Sequence, residues 1–147
     1  MAGLERLLAI GLLATAALTD LARRRIYRAW SATALGSGLA LALVAGRWSH
    51  VVIALALFGA TYLLWSRGGL GGGDVWLAVY LGLVLGMDAL VALLLGACLA
   101  SVVAVVLVAA KKLTWKDPVP LGLFWCLGGL AVLVVDVEWI VVLGEMG

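Results

Sequence analysis

The sequence predicts an all-α membrane protein, a polytopic bundle of about six transmembrane helices forming a single domain over 1–147, and three observations predict it. The first is composition: of 147 residues, 66% are hydrophobic and 12% charged, with a mean hydropathy of +1.22. An ordinary soluble domain has about a quarter of its residues charged and under half apolar. A chain this short cannot hide so much apolar surface from water, so lipid is the solvent for much of it. The second is continuity: the apolar runs are long, rich in Leu, Ala and Val, and lack the alternation of a barrel strand. Helices and closed barrels alone satisfy every backbone group inside a bilayer, and without alternation the helix is left. The third is the placement of the basic residues, taken up once the segments are drawn.

The first apolar segment runs from Leu4 to Thr19. Glu5 and Arg6 do not make a basic start, and the stretch Asp20-Leu21-Ala22-Arg23-Arg24-Arg25 is no small-residue cleavage site, so it reads as a span and not a signal peptide. The second segment is Ala29 to Gly46, ended by Gly46-Arg47-Trp48-Ser49-His50; the third is Val51 to Trp65, ended by the glycine cluster Gly68 to Gly73. The fourth, Val75 to Met87, stops at Asp88. The fifth runs from Ala89 to Ala110, and after the polar stretch Lys111 to Pro118 the sixth runs from Val119 to Val135. No second domain or low-complexity tail is evident.

Arg23, Arg24, Arg25 and Arg28 fall between segments one and two, Arg67 between three and four, and Lys111, Lys112 and Lys116 between five and six. Eight of the ten Lys and Arg thus occupy alternate loops, leaving Arg6 and Arg47 for the other side. The positive-inside rule makes those three loops cytoplasmic and turns both termini outward. Asp136 and Glu138 then reach the outer interface, with Trp139, Trp48, Trp65 and Trp115 beside loops as interfacial anchors. A net charge of +2 points to no nucleic-acid partner; the bilayer is the partner that composition demands.

Asp20 closes the first segment and Asp74 opens the fourth, both on the cytoplasmic side. Ionisable groups beside or within spans are costly and mark functional sites by default. The thirteen residues from Val75 to Met87 make roughly 20 Å of helix, against a hydrocarbon core of about 30 Å. Asp74 is therefore expected below the inner surface, and the glycine backbone of Gly71, Gly72 and Gly73 before it in a wet pocket. Two carboxylates brought together there hold one proton between them, the state in which one takes a proton from water while the other polarises a carbonyl. The glycines would let an extended substrate backbone approach. The bland alternatives are an Asp20 paired with Arg23 or Arg24, and an Asp74 that is simply a helix N-cap.

The surrounding residues resemble the type IV prepilin peptidases, a family of GxGD membrane aspartyl proteases. Its first motif, an aspartate, basic residues and a closing Ile-Pro-Asn, is matched by Asp20, Arg24 and Ile26, with Tyr27 and Arg28 where Pro and Asn are usual. Its second, Gly-x-Gly-Asp-x-Lys, is matched by Gly71, Gly73 and Asp74, then Leu77, Ala78, Gly82 and Gly86, with Trp76 in place of the lysine. A third, Pro-Phe-Gly-Pro-Phe at the start of the last span, appears as Pro120-Leu121-Gly122-Leu123-Phe124. The resemblance implies removal of basic leader peptides from prepilins or pilin-like subunits at the cytoplasmic face of the inner membrane. Asp20 and Asp74 would be catalytic, with Gly71, Gly72, Gly73, Arg24, Ile26, Pro120 and Gly122 shaping the site. It implies no cofactor, and the lack of CxxC pairs implies neither zinc nor methyltransferase activity, as in the short peptidase-only members. The missing lysine removes a charge that could tune the pair, which motivates a rival reading as a catalytically silent assembly partner. A small transporter using intramembrane carboxylates is the other rival, but no inverted repeat is visible.

Among the remaining residues, Cys98 and Cys126 read as buried free thiols, His50 as a solvated residue of an outward loop, and Asp88 as a helix cap. Gly36, Gly38, Gly82, Gly86 and Gly96 read as small residues that let helices pack closely in lipid. The oligomeric state has no signature in the sequence.

Overall fold

The computed structural model describes residues 3–23, 28–112, 114 and 121–135. Among them are six helices: α1 (Gly3–Arg23), α2 (Arg28–Val44), α3 (Trp48–Ser66), α4 (Gly72–Leu85), α5 (Asp88–Ala109) and α6 (Leu121–Val135). No strand occurs among the described residues. The six segments expected from the apolar runs are all helical, with ends displaced by a few residues. Helices α3 and α5 are long and apolar enough to cross a membrane; α1, α2, α4 and α6 contribute shorter apolar stretches.

Neighbouring helices alternate in direction. Gly82 of α4 meets Ala54 of α3, and Gly72 lies beside Trp65, so these two run antiparallel. The α5–α6 pair is antiparallel as well, with Gly96 against Phe124 and Gly128 against Ala92. So is α1–α6, where Leu13 meets Gly129 and Asp20 meets Leu123. α4 is the centre of the molecule, packed by α2, α3, α5 and α6. From Leu77 to Gly86 its only residue that is not buried is Val79, which is half-buried. The main core gathers Leu13, Leu77, Leu81 and Cys126, all fully buried, with Trp125 and Leu133.

The close approaches depend on missing side chains. A Cβ on Gly82 would stand 2.8 Å from Cα of Ala54, and one on Gly96 would stand 2.6 Å from the carbonyl oxygen of Phe124. Lipid gives no hydrophobic reward for joining two apolar helices, so van der Waals contact between such small-residue faces holds them. Ala92, Gly96 and Ala100 form the buried stripe of α5 on which α6 lies. Gly38 belongs to the same class, whereas Gly36 has nothing within 4 Å and is exposed, contrary to its expected packing role.

Three other expectations are corrected. His50 is in the first turn of α3, half-buried, and its Nδ1 lies 3.1 Å from the carbonyl oxygen of Leu83. That carbonyl belongs to the last turn of α4, where no amide of the same helix reaches it, so the imidazole caps the helix from outside. Gly86 ends α4 at φ 62°, the left-handed region, and a Cβ there would strike the same ring at 2.8 Å. Asp88 does not cap α5: Met87 is the N-cap and no side chain bonds there. Cys98 is exposed while Cys126 is buried, because Cys98 lies on the flank of α5 turned away from the Gly96 stripe. Trp115, Trp139, Asp136 and Glu138 lie outside the described residues.

Candidate functional site

The first helix runs four residues beyond its expected end, so Asp20 sits in the last turn of α1 rather than after it. Its side chain is 7% exposed. The glycine run is likewise only partly irregular: Gly71 is the N-cap of α4 in an extended conformation, and Gly72, Gly73 and Asp74 form the first turn. Asp74 is therefore not the N-cap. From the third helical position its Oδ2 accepts the Gly71 backbone N–H at 3.2 Å, and its own N–H donates to the Gly71 carbonyl at 3.1 Å. The carboxylate is fixed at the positive end of α4, where anionic groups are favoured.

The first turn of α6 completes the arrangement. Leu123 donates its backbone N–H to Oδ2 of Asp20 at 2.8 Å. A Cβ built on Gly122 would lie 2.7 Å from Oδ1 of Asp74 and 3.1 Å from Oδ2 of Asp20. A point that near to both ties the two oxygens to within about 6 Å of one another. The two carboxylates, 54 positions apart in sequence, thus converge on a single glycine. Only a residue without a side chain fits between them. One turn further along the same face of α6 lies Cys126, fully buried.

The site is recessed. Phe124 stands opposite Gly96, and α5 continues from Gly96 to Ala109 past the start of α6. At 1.5 Å per residue α5 reaches about 20 Å beyond the level of Phe124 and about 15 Å past the start of α6, which leaves the aspartates more than a turn or two inside the end of α5. On the exposed side the pair is bordered by Gly71 and Gly72, whose amides begin α4. Gly73 is half-buried.

The position held by Trp76 bears directly on the expected loss of a tuning charge. Trp76 is two residues after Asp74, about 200° further round α4, and such neighbours do not share a face. Its ring packs on Phe58 of α3, with centroids 5.7 Å apart, and it is 42% exposed on the outer surface. A lysine there would start from a face turned away from the carboxylates. The replacement therefore leaves the immediate surroundings of the pair unchanged.

Of the residues expected at the site, Asp20, Asp74, Gly71, Gly72, Gly73 and Gly122 are brought together, while Arg24, Ile26 and Pro120 lie outside the described residues. Among the residues whose side chains are described, Arg47 pairs with Glu5 and not with either aspartate, and no cluster of His, Cys, Asp or Glu could hold a metal ion. Leu123 is the contributor that side-chain reading misses, since it acts through its main chain. Its only sequence signal is its place in the first turn of a helix, where amides are free to donate.

Two carboxylates held this close, Asp20 buried and Asp74 half-buried, are suited to sharing a proton and handling a water molecule between them. Comparison with known families agrees in kind. The family model described as "Type IV leader peptidase family" matches residues 7–108, a stretch that contains both aspartates and the glycine run. No curated protein and no solved structure matches the chain.

Proposed function

The chain belongs to the type IV leader peptidase family, and from that premise we propose that it is a membrane aspartyl endopeptidase acting through Asp20 and Asp74. The proposed substrates are type IV prepilins or pilin-like proteins, cut between a basic leader and an apolar helix at the cytoplasmic face of the inner membrane. The observation that carries this reading is the convergence of both carboxylates on Gly122. In the proposed topology all six helices traverse the apolar layer, the shorter ones surrounding the recessed site, and the arginine- and lysine-bearing loops face the cytoplasm.

In the reaction, the pair carries one proton. The ionised carboxylate takes a proton from a water, whose oxygen attacks the scissile carbonyl carbon. The protonated carboxyl gives its proton to the carbonyl oxygen, and a tetrahedral diol results. Collapse of the diol breaks the C–N bond; the departing amine takes one proton and the dyad returns to its singly protonated state. The exposed Gly71 and Gly72 offer a surface over which an extended main chain could run without meeting side chains. Two helix N-termini face the site, which favours negative charge developing on the carbonyl oxygen.

The silent assembly-partner reading drew on the missing lysine. The outward direction of Trp76 removes its physical motive. The deciding experiment incubates the purified protein, in detergent or lipid, with pilin-like proteins from its own genome, beside Asp20→Asn and Asp74→Asn. Cleavage by the parent and none by either variant is the expected result. Cleavage that survives either substitution overturns the dyad, and a folded parent that cuts no such substrate supports the silent reading.

A further inference from the structure

One flank of α3 is a connected run of aromatic rings left largely uncovered. Phe58 stacks on Tyr62 with centroids 5.5 Å apart, Tyr62 meets Trp65 at 5.3 Å, and Trp76 of α4 meets Phe58 at 5.7 Å. Tyr62, Trp65 and Trp76 are exposed, and Phe58 is half-buried. Leu55 and Gly59, seven and three residues before Tyr62, share its exposed face. A Cβ on Gly59 would meet nothing within 4 Å, so a second helix could come close to the backbone there. No charged side chain interrupts α3 from Leu55 to Ser66. Interfacial aromatic residues gather at one depth, that of the headgroups. These rings do not. Ala54 faces Gly82 across the α3–α4 contact; eight residues on from Ala54 is Tyr62, and eight back from Gly82 is Asp74. Tyr62 is therefore level with Asp74, and Phe58 and Leu55 lie about 6 Å and about 10 Å beyond that level at 1.5 Å per residue. The strip starts beside the carboxylates and descends away from the end that carries Arg67, Lys111 and Lys112.

A cut between a basic leader and an apolar helix puts that helix below the level of the pair and within a few residues of it. Asp74 itself faces away from the strip, since Trp76 is about 200° round α4 from it. The crossing between the two flanks is at Gly71 and Gly72, both exposed and without side chains. Trp65 stands at its near edge, with Nε1 3.5 Å from the point a Cβ on Gly72 would occupy. A helix is about 10 Å across, a distance that three extended residues span at about 3.3 Å each. We propose that the apolar helix of the substrate docks on the aromatic flank of α3, with three or four unwound residues crossing Gly72 and Gly71 to reach the carboxylates. This docking rests on the peptidase reading and adds to it where the substrate's helix is held. Rings already packed on one another have little side-chain freedom left to lose on binding. The open backbone at Gly59 gives the close van der Waals contact that joins helices in lipid.

The test uses the full chain in detergent and two substrates: a complete pilin-like protein, and a peptide with its leader and the first few residues after the cut. The parent should show a KM about tenfold lower for the complete protein than for the peptide. In the Phe58→Ala, Tyr62→Ala double variant that preference should vanish with kcat within about threefold, the mark of binding that is held equally before and during the reaction. Gly59→Leu keeps every ring in place and closes the backbone to an incoming helix. It should raise the KM for the complete protein by a similar factor, with helicity unchanged. Tyr62→p-benzoylphenylalanine in the Asp74→Asn chain should cross-link, on illumination, to the first two turns of the uncut substrate's helix. A parent that cuts neither substrate overturns this docking together with the peptidase reading. Where the parent cuts both, the docking alone is overturned by equal KM values for the two, by a KM unmoved in both variants, or by cross-links only to lipid or to a second copy of the chain.

Discussion

Leu123 and Asp20 are joined by a 2.8 Å hydrogen bond from a backbone amide in the first turn of α6 to a carboxylate in the last turn of α1. An aspartate at the C-terminal end of its own helix faces the negative end of that helix's dipole. The amide of α6 offsets this by presenting the positive end of another. The bond also registers α6 against α1 at the level where Asp74 arrives from α4, so the pair is assembled by three helices rather than two.

Gly122→Ala tests that register. The added methyl would sit 2.7 Å from Oδ1 of Asp74 and 3.1 Å from Oδ2 of Asp20, forcing one carboxylate or the α6 turn aside. Cleavage of a pilin-like substrate should fall by about 10- to 100-fold, the usual consequence of displacing a reacting group by around 1 Å. Circular dichroism should remain that of the parent, since the displacement is confined to the first turn. Steady-state rates against protein concentration provide the measurement.

Rate against pH should be bell-shaped. With both carboxyls protonated there is no base for the water, so activity rises as the first proton leaves. With both ionised there is no acid for the carbonyl, so activity falls as the second leaves. Asp20→Asn and Asp74→Asn should each lower kcat by roughly three orders of magnitude, and the double variant should be no worse than the singles, as expected for groups that act as a unit. A rate that merely levels off at high pH would speak for a single working carboxylate.

Trp76→Lys restores the residue usual in the resembled motif. Because Trp76 packs on Phe58 away from the aspartates, kcat should stay within about threefold of the parent, a change of under 1 kcal/mol in barrier. A large rise would mean that the lysine reaches the pair after all.

Trp125 is only 7% exposed, and its Nε1 has no hydrogen-bond partner among the described residues. An unpaired buried donor costs about 1–3 kcal/mol. Trp125→Phe keeps an aromatic ring in the core and drops that donor. The loss of ring volume offsets part of the gain, so the Tm in detergent should stay level or rise by a few degrees. A fall of several degrees would show that the indole N–H is satisfied in solution.

How much of this was legible in the sequence follows from what each feature depends on. The six helices were visible because continuous apolar runs broken by Gly46, Gly68 to Gly73 and Asp88 admit no other backbone in lipid. Asp20 and Asp74 were visible as charges beside apolar segments. Their convergence was not visible, because it rests on the antiparallel packing of α1 on α6 through Leu13 and Gly129. The roles of Leu123 and His50 were out of reach for a different reason: each acts through a hydrogen bond to main chain contributed by another helix. Trp76 was misjudged because its distance along the chain from Asp74 is short while its angular distance round α4 is large.

The overhang of α5 carries one more consequence, for the shape in which a substrate can be cut. At that depth an incoming apolar segment would be coiled, each carbonyl tied to an amide four residues on and out of reach of any attacking water. Cleavage there demands that about a turn be unravelled first, and each bond opened in a dry setting must find a replacement partner. Backbone N–H groups in the first turns of α4 and α6 would donate to those released carbonyls, so the same two helix starts that anchor the aspartates would also hold the uncoiled strand in front of them.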